Sequence, residues 1–371
     1  MKAGIITHYN VHNHGAQLQM YALARVLSNF GFEAQALTFN KNYDFFDEGL
    51  SKKYNISIKS FPLYLKYLIQ NGLGRTIYNI NKRKILNNFR IENKLIGDFY
   101  SKAEKLDLVV IGSDEIFSFE SGINPWYWGI GVRCSNIISY AASFGPTDSN
   151  FILSHNVSHL VEGGAKNIKT ILVRDENSKQ LIKEFSGKES SIVCDPVILY
   201  PFMNENKISL SIVDFRKKLT KRYCIIYSYD SNMNDLETVE SIKNYAKTNH
   251  LEIYSVGYYH KWCDRNIQVK PLDIFKWFSC AEMVFTDTFH GTVLSIVTGT
   301  QFLSKIRGNG YKLRFLLKQF GLMEREVSDF SKSSIEHCAL INFEIVNKNI
   351  TAVREKSLDL LKKAIGDPLD E

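Results

Sequence analysis

Residues 283–306 read MVFTDTFHGTVLSIVTGTQFLSKI, and this stretch decides the fold reading. Met283–Thr286 is a short apolar run that reads as a buried strand. Asp287 to His290 make a polar turn, residues 291–298 carry apolar side chains at helical spacing, and Phe302–Ile306 reads as the next strand. A strand, a helix and a strand in so short a span is the repeating unit of a parallel sheet. The same rhythm continues on both sides. Tyr311–Phe320 reads as a helix downstream. Upstream come a strand at 223–229, a helix at 234–248, a strand at 251–256 and a short helix at 271–280.

The amino-terminal half repeats the pattern. Residues 2–7 read as a strand, His8 to Gly15 as a polar loop and Ala16–Phe30 as an amphipathic helix stopped by Gly31. Strands follow at 34–38, 106–111, 136–141, 170–173 and 191–194, with helices at 148–164 and 176–187. Residues 42–105 depart from this: rich in Tyr, Asn, Lys and Ile, they read as an insertion of helices and loops without a strong strand. The polar, lysine-rich segment 201–220 marks the domain boundary. The expected organisation is therefore α/β: an N-terminal domain at 1–205 with its insertion at about 42–105, a C-terminal domain at 206–349, and a terminal helix at 350–371. Two doubly wound domains in series predict a central cleft that the carboxyl ends of their strands face, and ligands belong at such ends.

A length of 371 residues is more than one ordinary core holds, and a two-domain chain is the expectation. The net charge of +7 suits anionic small molecules, a nucleic acid or an anionic membrane face. No concentrated basic and aromatic stripe supports nucleic acid. The densest basic cluster, Lys82, Arg83 and Lys84 with Arg75 and Arg90, reads as a solvated helix face or a phosphate contact. Six cysteines form no C-x-x-C pair, which argues against a zinc site and a thioredoxin-type motif and fits reduced thiols in the cytoplasm. No signal peptide is visible and no apolar run approaches the roughly 20 residues a spanning helix needs. The expected location is cytoplasmic, with at most a peripheral contact at the inner membrane face.

Four loops at strand ends carry candidate chemistry. Asn13, His14 and Gly15 lie in the loop between the first strand and its helix, where unpaired N–H groups favour an anionic or polar ligand. The loop's three histidines, at 8, 12 and 14, have no acidic neighbour in sequence, and no metal is assigned. Ser113 and Asp114 follow the strand ending at Ile111; they read either as ligand contacts or as a helix cap. Arg174 follows another strand, either as a fork for phosphate or carboxylate or in an ion pair with Asp175, Glu176 or a neighbouring loop. Thr288, His290, Gly291 and Thr292 form the fourth loop, where a histidine at a helix start can move a proton near neutral pH; the alternative is a histidine that packs the turn.

In order, the chain presents Asn13-His14-Gly15-Ala16-Gln17-Leu18-Gln19, Gly112-Ser113-Asp114, Ser139-Tyr140-Ala141-Ala142-Ser143-Phe144-Gly145, Val173-Arg174-Asp175-Glu176, Cys194-Asp195-Pro196 and Thr286-Asp287-Thr288-Phe289-His290-Gly291-Thr292. This series resembles the polysaccharide pyruvyl transferase family over residues 1 to about 320. The resemblance implies a GT-B-like fold of two Rossmann-type halves. It also implies transfer of pyruvate from phosphoenolpyruvate to a sugar of a cell-surface polysaccharide, such as an exopolysaccharide, or to its lipid-linked precursor, forming a pyruvate ketal. Asp114, Arg174 and His290 fall on positions the family is thought to use at the donor site. Members of the family read Ser-Arg-Leu-His-Gly where this chain has Asp287-Thr288-Phe289-His290-Gly291. Another cation must then replace the missing arginine, and Arg314, Lys305 and Arg307 are the candidates.

The expected chemistry assigns proton transfer to His290, with Asp114 assisting at the acceptor hydroxyls and Arg174 holding the donor. Phosphoenolpyruvate is a co-substrate, and no cofactor is called for. The alternative is a GT-B glycosyltransferase using a nucleotide-sugar donor, and a further rival is a non-catalytic scaffold in a polysaccharide assembly complex.

Overall fold

Leu108–Ile111 and Met283–Thr286 are four-residue runs with every side chain buried. Strands buried on both faces belong to parallel sheets covered on both sides, and each of these two lies inside one. The computed structural model describes residues 1–41, 61–308, 310–336 and 338–366. By its internal contacts the chain divides into a first unit of residues 1–77, 90–199 and 353–371 and a second of 78–89 and 200–352.

The first unit holds strands β1 (Lys2–Ile6), β2 (Glu33–Thr38), β3 (Ile96–Phe99), β4 (Leu108–Ile111) and β5 (Ile137–Ser139), in the order β3-β2-β1-β4-β5. Every pairing is parallel, with Ile5 beside Val110 and Val110 beside Ile138. Strands β6 (Leu172–Val173) and β7 (Ser191–Ile192) pair with each other and join through bridges at Ile138–Thr170 and Ala142–Val173. Against this sheet Phe117 stacks on Trp128 at 4.3 Å, and a Cβ on Gly164 would come within 2.4 Å of that indole.

The second unit holds β8 (Tyr223–Tyr227), β9 (Glu252–Val256), β10 (Arg265–Ile267), β11 (Met283–Thr286), β12 (Phe302–Lys305) and β13 (Glu326–Val327), in the order β10-β9-β8-β11-β12-β13, all parallel. Counted within each unit, the first sheet follows the order 3-2-1-4-5 and the second 3-2-1-4-5-6, the doubly wound arrangement with its switch point between the first and fourth strands. The switch points fall between β1 and β4 and between β8 and β11.

Several expectations are corrected. The region 42–105 contains a strand, β3, beside the helical stretch Phe61–Glu92, which is broken into two helices at Gly72 (φ 72°); its part at 42–60 lies outside the described residues. β3 escapes notice because only four residues pair and none of them is fully buried. Residues 201–220 are largely the helix Asn206–Lys218, and the units divide at Leu199/Tyr200 rather than at 205/206. The last helix begins at Phe343, not 350, and its part from Val353 belongs to the first unit. There Ser357 accepts from the Cys194 amide at 3.0 Å and Arg354 donates to the Ile198 carbonyl at 2.9 Å. Lys82 and Arg90 do not lie on a solvated face: each is 7% exposed. No helix among the described residues is long and apolar enough to cross a membrane.

Candidate functional site

At the carboxyl edge of the first sheet, the Thr7 hydroxyl after β1 donates to the Ser113 carbonyl after β4 at 2.9 Å, tying the two exits at the switch point. Gly112 has φ 122°, and a Cβ there would lie 2.2 Å from the Tyr140 carbonyl oxygen, so no larger residue fits. Asp114 also has a positive φ, 86°. Its side chain is 21% exposed, and Oδ1 accepts from the Glu115 amide at 2.9 Å. No helix starts there: the next short turn, Phe119–Ser121, is capped by Ser118, which removes the helix-cap reading of Ser113 and Asp114. The Ser113 hydroxyl is buried with no hydrogen-bond partner among the described residues.

Arg174 leaves β6 into the interior beneath this turn. One arm, Nη1, bonds Asp195 Oδ2 at 3.2 Å, and Nη2 faces Asp114 Oδ1 at 4.0 Å. Its side chain is 3% exposed, with Nη1 bonded to Asp195 and Nη2 at ion-pair distance from Asp114. Burial opposes the guanidinium charge, but Asp195, Asp114, Asp175 and Glu115 outweigh it and raise its pKa. The ion-pair partners are thus Asp195 and, at 4.0 Å, Asp114, both in neighbouring loops, rather than Asp175 or Glu176. Asp175 instead caps the helix Glu176–Ser186 through the Ser178 amide at 2.8 Å and accepts from Ser143 at 2.6 Å. Gln19, from the helix His14–Asn29, also donates to Asp195.

Asn13 caps that helix through the Gly15 amide at 2.8 Å, His14 is 1% exposed in its first turn, and Gln17 holds the preceding loop by the Tyr9 and Val11 carbonyls. His8 meets the Tyr127 hydroxyl at 3.3 Å. Burial, then the charge of Lys41, pushes its pKa down to about 4, and it is neutral near pH 7.

At the carboxyl edge of the second sheet, Thr286 donates to the Tyr227 carbonyl at 2.7 Å across the switch point. Thr288 caps the helix Phe289–Thr298 by accepting from the Gly291 amide at 3.0 Å, and His290 stands in that helix's first turn, 8% exposed. Gly291 is required because a Cβ would lie 2.0 Å from Thr286 Oγ1. The Thr292 hydroxyl meets the Thr288 carbonyl and Ser304 Oγ, so Thr288, Gly291 and Thr292 serve the turn that presents His290. The Asp287 carboxylate is fully buried: Oδ2 accepts from Asn232 at 2.8 Å and from Arg307 Nε, and Oδ1 has no hydrogen-bond partner among the described residues. Asn232 is held in turn by His260, whose Nε2 lies 3.2 Å from its carbonyl and whose Nδ1 lies 3.0 Å from Ser255 Oγ. Burial lowers the His260 pKa.

Of the three cations put forward for the gap at Thr288, Arg307 has a described bond to this turn, to Asp287. Arg314 binds Glu326 with Nε and Nη2, at 2.9 and 2.8 Å, on the exposed flank. Lys305 acts electrostatically on Asp235. Sequence reasoning gave no role to Gln19, Asp195, Asn232 or His260. A usable signal existed for Asn232, which follows β8 and therefore belongs to the same edge as His290. A hollow lined by Lys2, Glu33, Gln35, Gly97, Asp98 and Glu104 opens instead at the amino ends of β1–β3, away from these residues.

The profile described as Polysaccharide pyruvyl transferase matches residues 13–305. A search of curated protein sequences found no match. Among solved structures, a UDP-GlcNAc 2-epimerase of Methanocaldococcus jannaschii, in complex with UDP-GlcNAc and UDP, aligns at 11% identity and TM-score 0.50, over 96% of this chain and 100% of its own. The Arabidopsis thaliana protein UGT89C1, complexed with UDP, aligns at 12% identity and TM-score 0.50, over 98% and 99%. At such identities the likeness concerns the fold, which is GT-B-like, with two Rossmann-type α/β domains. With most of its length matched by the family profile, the chain belongs to the polysaccharide pyruvyl transferase family.

Proposed function

We propose that the protein moves the pyruvyl group of phosphoenolpyruvate onto two hydroxyls of one sugar in a cell-surface polysaccharide or its lipid-linked precursor, giving a pyruvate ketal and inorganic phosphate. The observation that carries this reading is His290, in the first turn of the helix after β11, with the buried Asp287 three residues before it and Arg307 paired to that carboxylate.

In this scheme His290 delivers a proton to the donor's methylene carbon, turning CH2 into CH3 and leaving an oxocarbenium-like centre. One sugar oxygen bonds to that centre and releases its proton to Asp114. The carbon–oxygen bond to phosphate then breaks as a second sugar oxygen bonds, and that hydroxyl's proton leaves with the phosphate. Two carbon–oxygen bonds form, one breaks, and nothing is oxidised or reduced. Arg307 takes the place of the arginine absent at Thr288 and offsets charge on the donor. Arg174 is a positioning residue that holds the Asp114 turn from beneath.

The test incubates the full chain with phosphoenolpyruvate and a lipid-linked sugar acceptor, following phosphate release and a pyruvate adduct by mass spectrometry. Stoichiometric phosphate and ketal support the reading. Turnover of a nucleotide sugar, with none of phosphoenolpyruvate, would replace it by glycosyl transfer.

A further inference from the structure

Tyr78, Lys82, Leu86 and Phe89 make one buried stripe of the helical stretch Phe61–Glu92, at the i, i+4, i+8, i+11 spacing of a single face. Three of them are ordinary core formers. Lys82 is not: a buried ammonium is costly unless its donors are filled. Its Nζ lies 4.0 Å from the centre of the Tyr258 ring, a cation–π contact. Among the described residues no hydrogen-bond acceptor holds it. Asp230 is the nearby counter-charge, but Asp230 accepts from Asn79 at 3.0 Å and the Tyr259 amide at 3.0 Å.

The place is as telling as the isolation. Asp230 follows β8 and Tyr258 follows β9, so Lys82 stands at the carboxyl edge of the second sheet. Tyr229, half-exposed, packs edge-on against the Tyr258 ring at 5.5 Å and brings this corner to the surface. From Asp230 the charged groups continue through His260 and Asn232 to Asp287 and Arg307.

We propose that Lys82 is a second anion-holding point of this edge, donating to a phosphate or carboxylate oxygen of the bound donor. The proposal rests on the reading of the site as one for an enol phosphate that carries both a phosphate and a carboxylate. The groups around the amine are Asp230, Tyr227, Tyr229 and Tyr258 from the exits of β8 and β9, Tyr78 from its own helix, and His260, which burial keeps neutral. Burial lowers the Lys82 pKa to about 8. An arriving anion favours the charged amine, so binding above that pH takes up a proton.

The experiment is calorimetric titration of the full chain with phosphoenolpyruvate, and separately with inorganic phosphate, at about pH 7 and about pH 9 in buffers of different ionisation heat. The proposal predicts affinity falling by about tenfold over that range, with proton uptake. Lys82→Met should weaken binding by about 10- to 100-fold and flatten the pH dependence. Lys82→Arg should keep the affinity and lose the pH step. Wild-type binding without proton uptake, or unchanged binding by a folded Lys82→Met, overturns the proposal even if pyruvyl transfer stands. Phosphate bound in a Lys82-dependent manner by a chain that does not turn over phosphoenolpyruvate keeps the anion point and removes the reaction.

Discussion

At the carboxyl edge of the first sheet the arginine is inside and a carboxylate looks out: Arg174 is 3% exposed and Asp114 21%. At the second edge the carboxylate is inside and the arginine looks out: Asp287 is 0% exposed and Arg307 45%. The strand order is the same, and the sign of the outward group is reversed. Each buried charge is held by its opposite and by an amide side chain, Gln19 on Asp195 in one case and Asn232 on Asp287 in the other. In the proposed reaction the two outward groups have different tasks. A carboxylate at a switch point suits the taking of protons from sugar hydroxyls. An arginine beside a histidine suits an anion that must be protonated.

The largest effect expected is on His290. His290→Ala should lower the rate of ketal formation by about 10²–10⁴-fold, the usual share of a positioned acid–base group. Near-normal turnover by that variant would break the assignment of proton transfer to the second edge. Next comes Arg174. Arg174→Met leaves Asp195 and Asp114 without their cation, and removing one partner of a buried pair costs about 3–5 kcal/mol. Denaturant unfolding should show it as a lower midpoint at an unchanged slope. A loss of activity in that variant with full stability would contradict the positioning role and return Arg174 to the ligand.

Much of this comparison was readable before the structure, and the unreadable part has physical causes. Strands buried on both faces, such as Leu108–Ile111 and Met283–Thr286, announce themselves as continuous apolar runs. β10 and β13 have three and two residues and no period to detect. The helix turn at Thr288–His290 was legible because strand, cap and helix are contiguous. The partner of Arg174 was not, because Asp195 lies beyond a helix and a further strand, and only the β6–β7 pairing brings them together. Lys82 was misread for a related reason. Its two neighbours Arg83 and Lys84 are exposed, and a run of charge says nothing about which member turns inward.

The smallest expected effect sharpens the contrast between Arg307 and Arg314, which differ in what holds them rather than in chemistry. Arg314 is about half exposed and forked onto Glu326. Solvent screens such a pair, so Arg314→Ala should change stability by no more than about 1 kcal/mol, and it should leave the Michaelis constant for phosphoenolpyruvate unchanged. Arg307 shares Asp287 with Asn232, so its guanidinium is aimed from a buried carboxylate that cannot follow a surface fluctuation. Arg307→Ala should therefore raise that constant, and it should lower stability more than Arg314→Ala does, because it leaves the buried Asp287 carboxylate without its cation. Steady-state kinetics on the two variants side by side checks this. Equal Michaelis constants would mean that the outward arginine of the second edge does not touch the donor, and the reversal of sign between the edges would then be architecture without a role in binding.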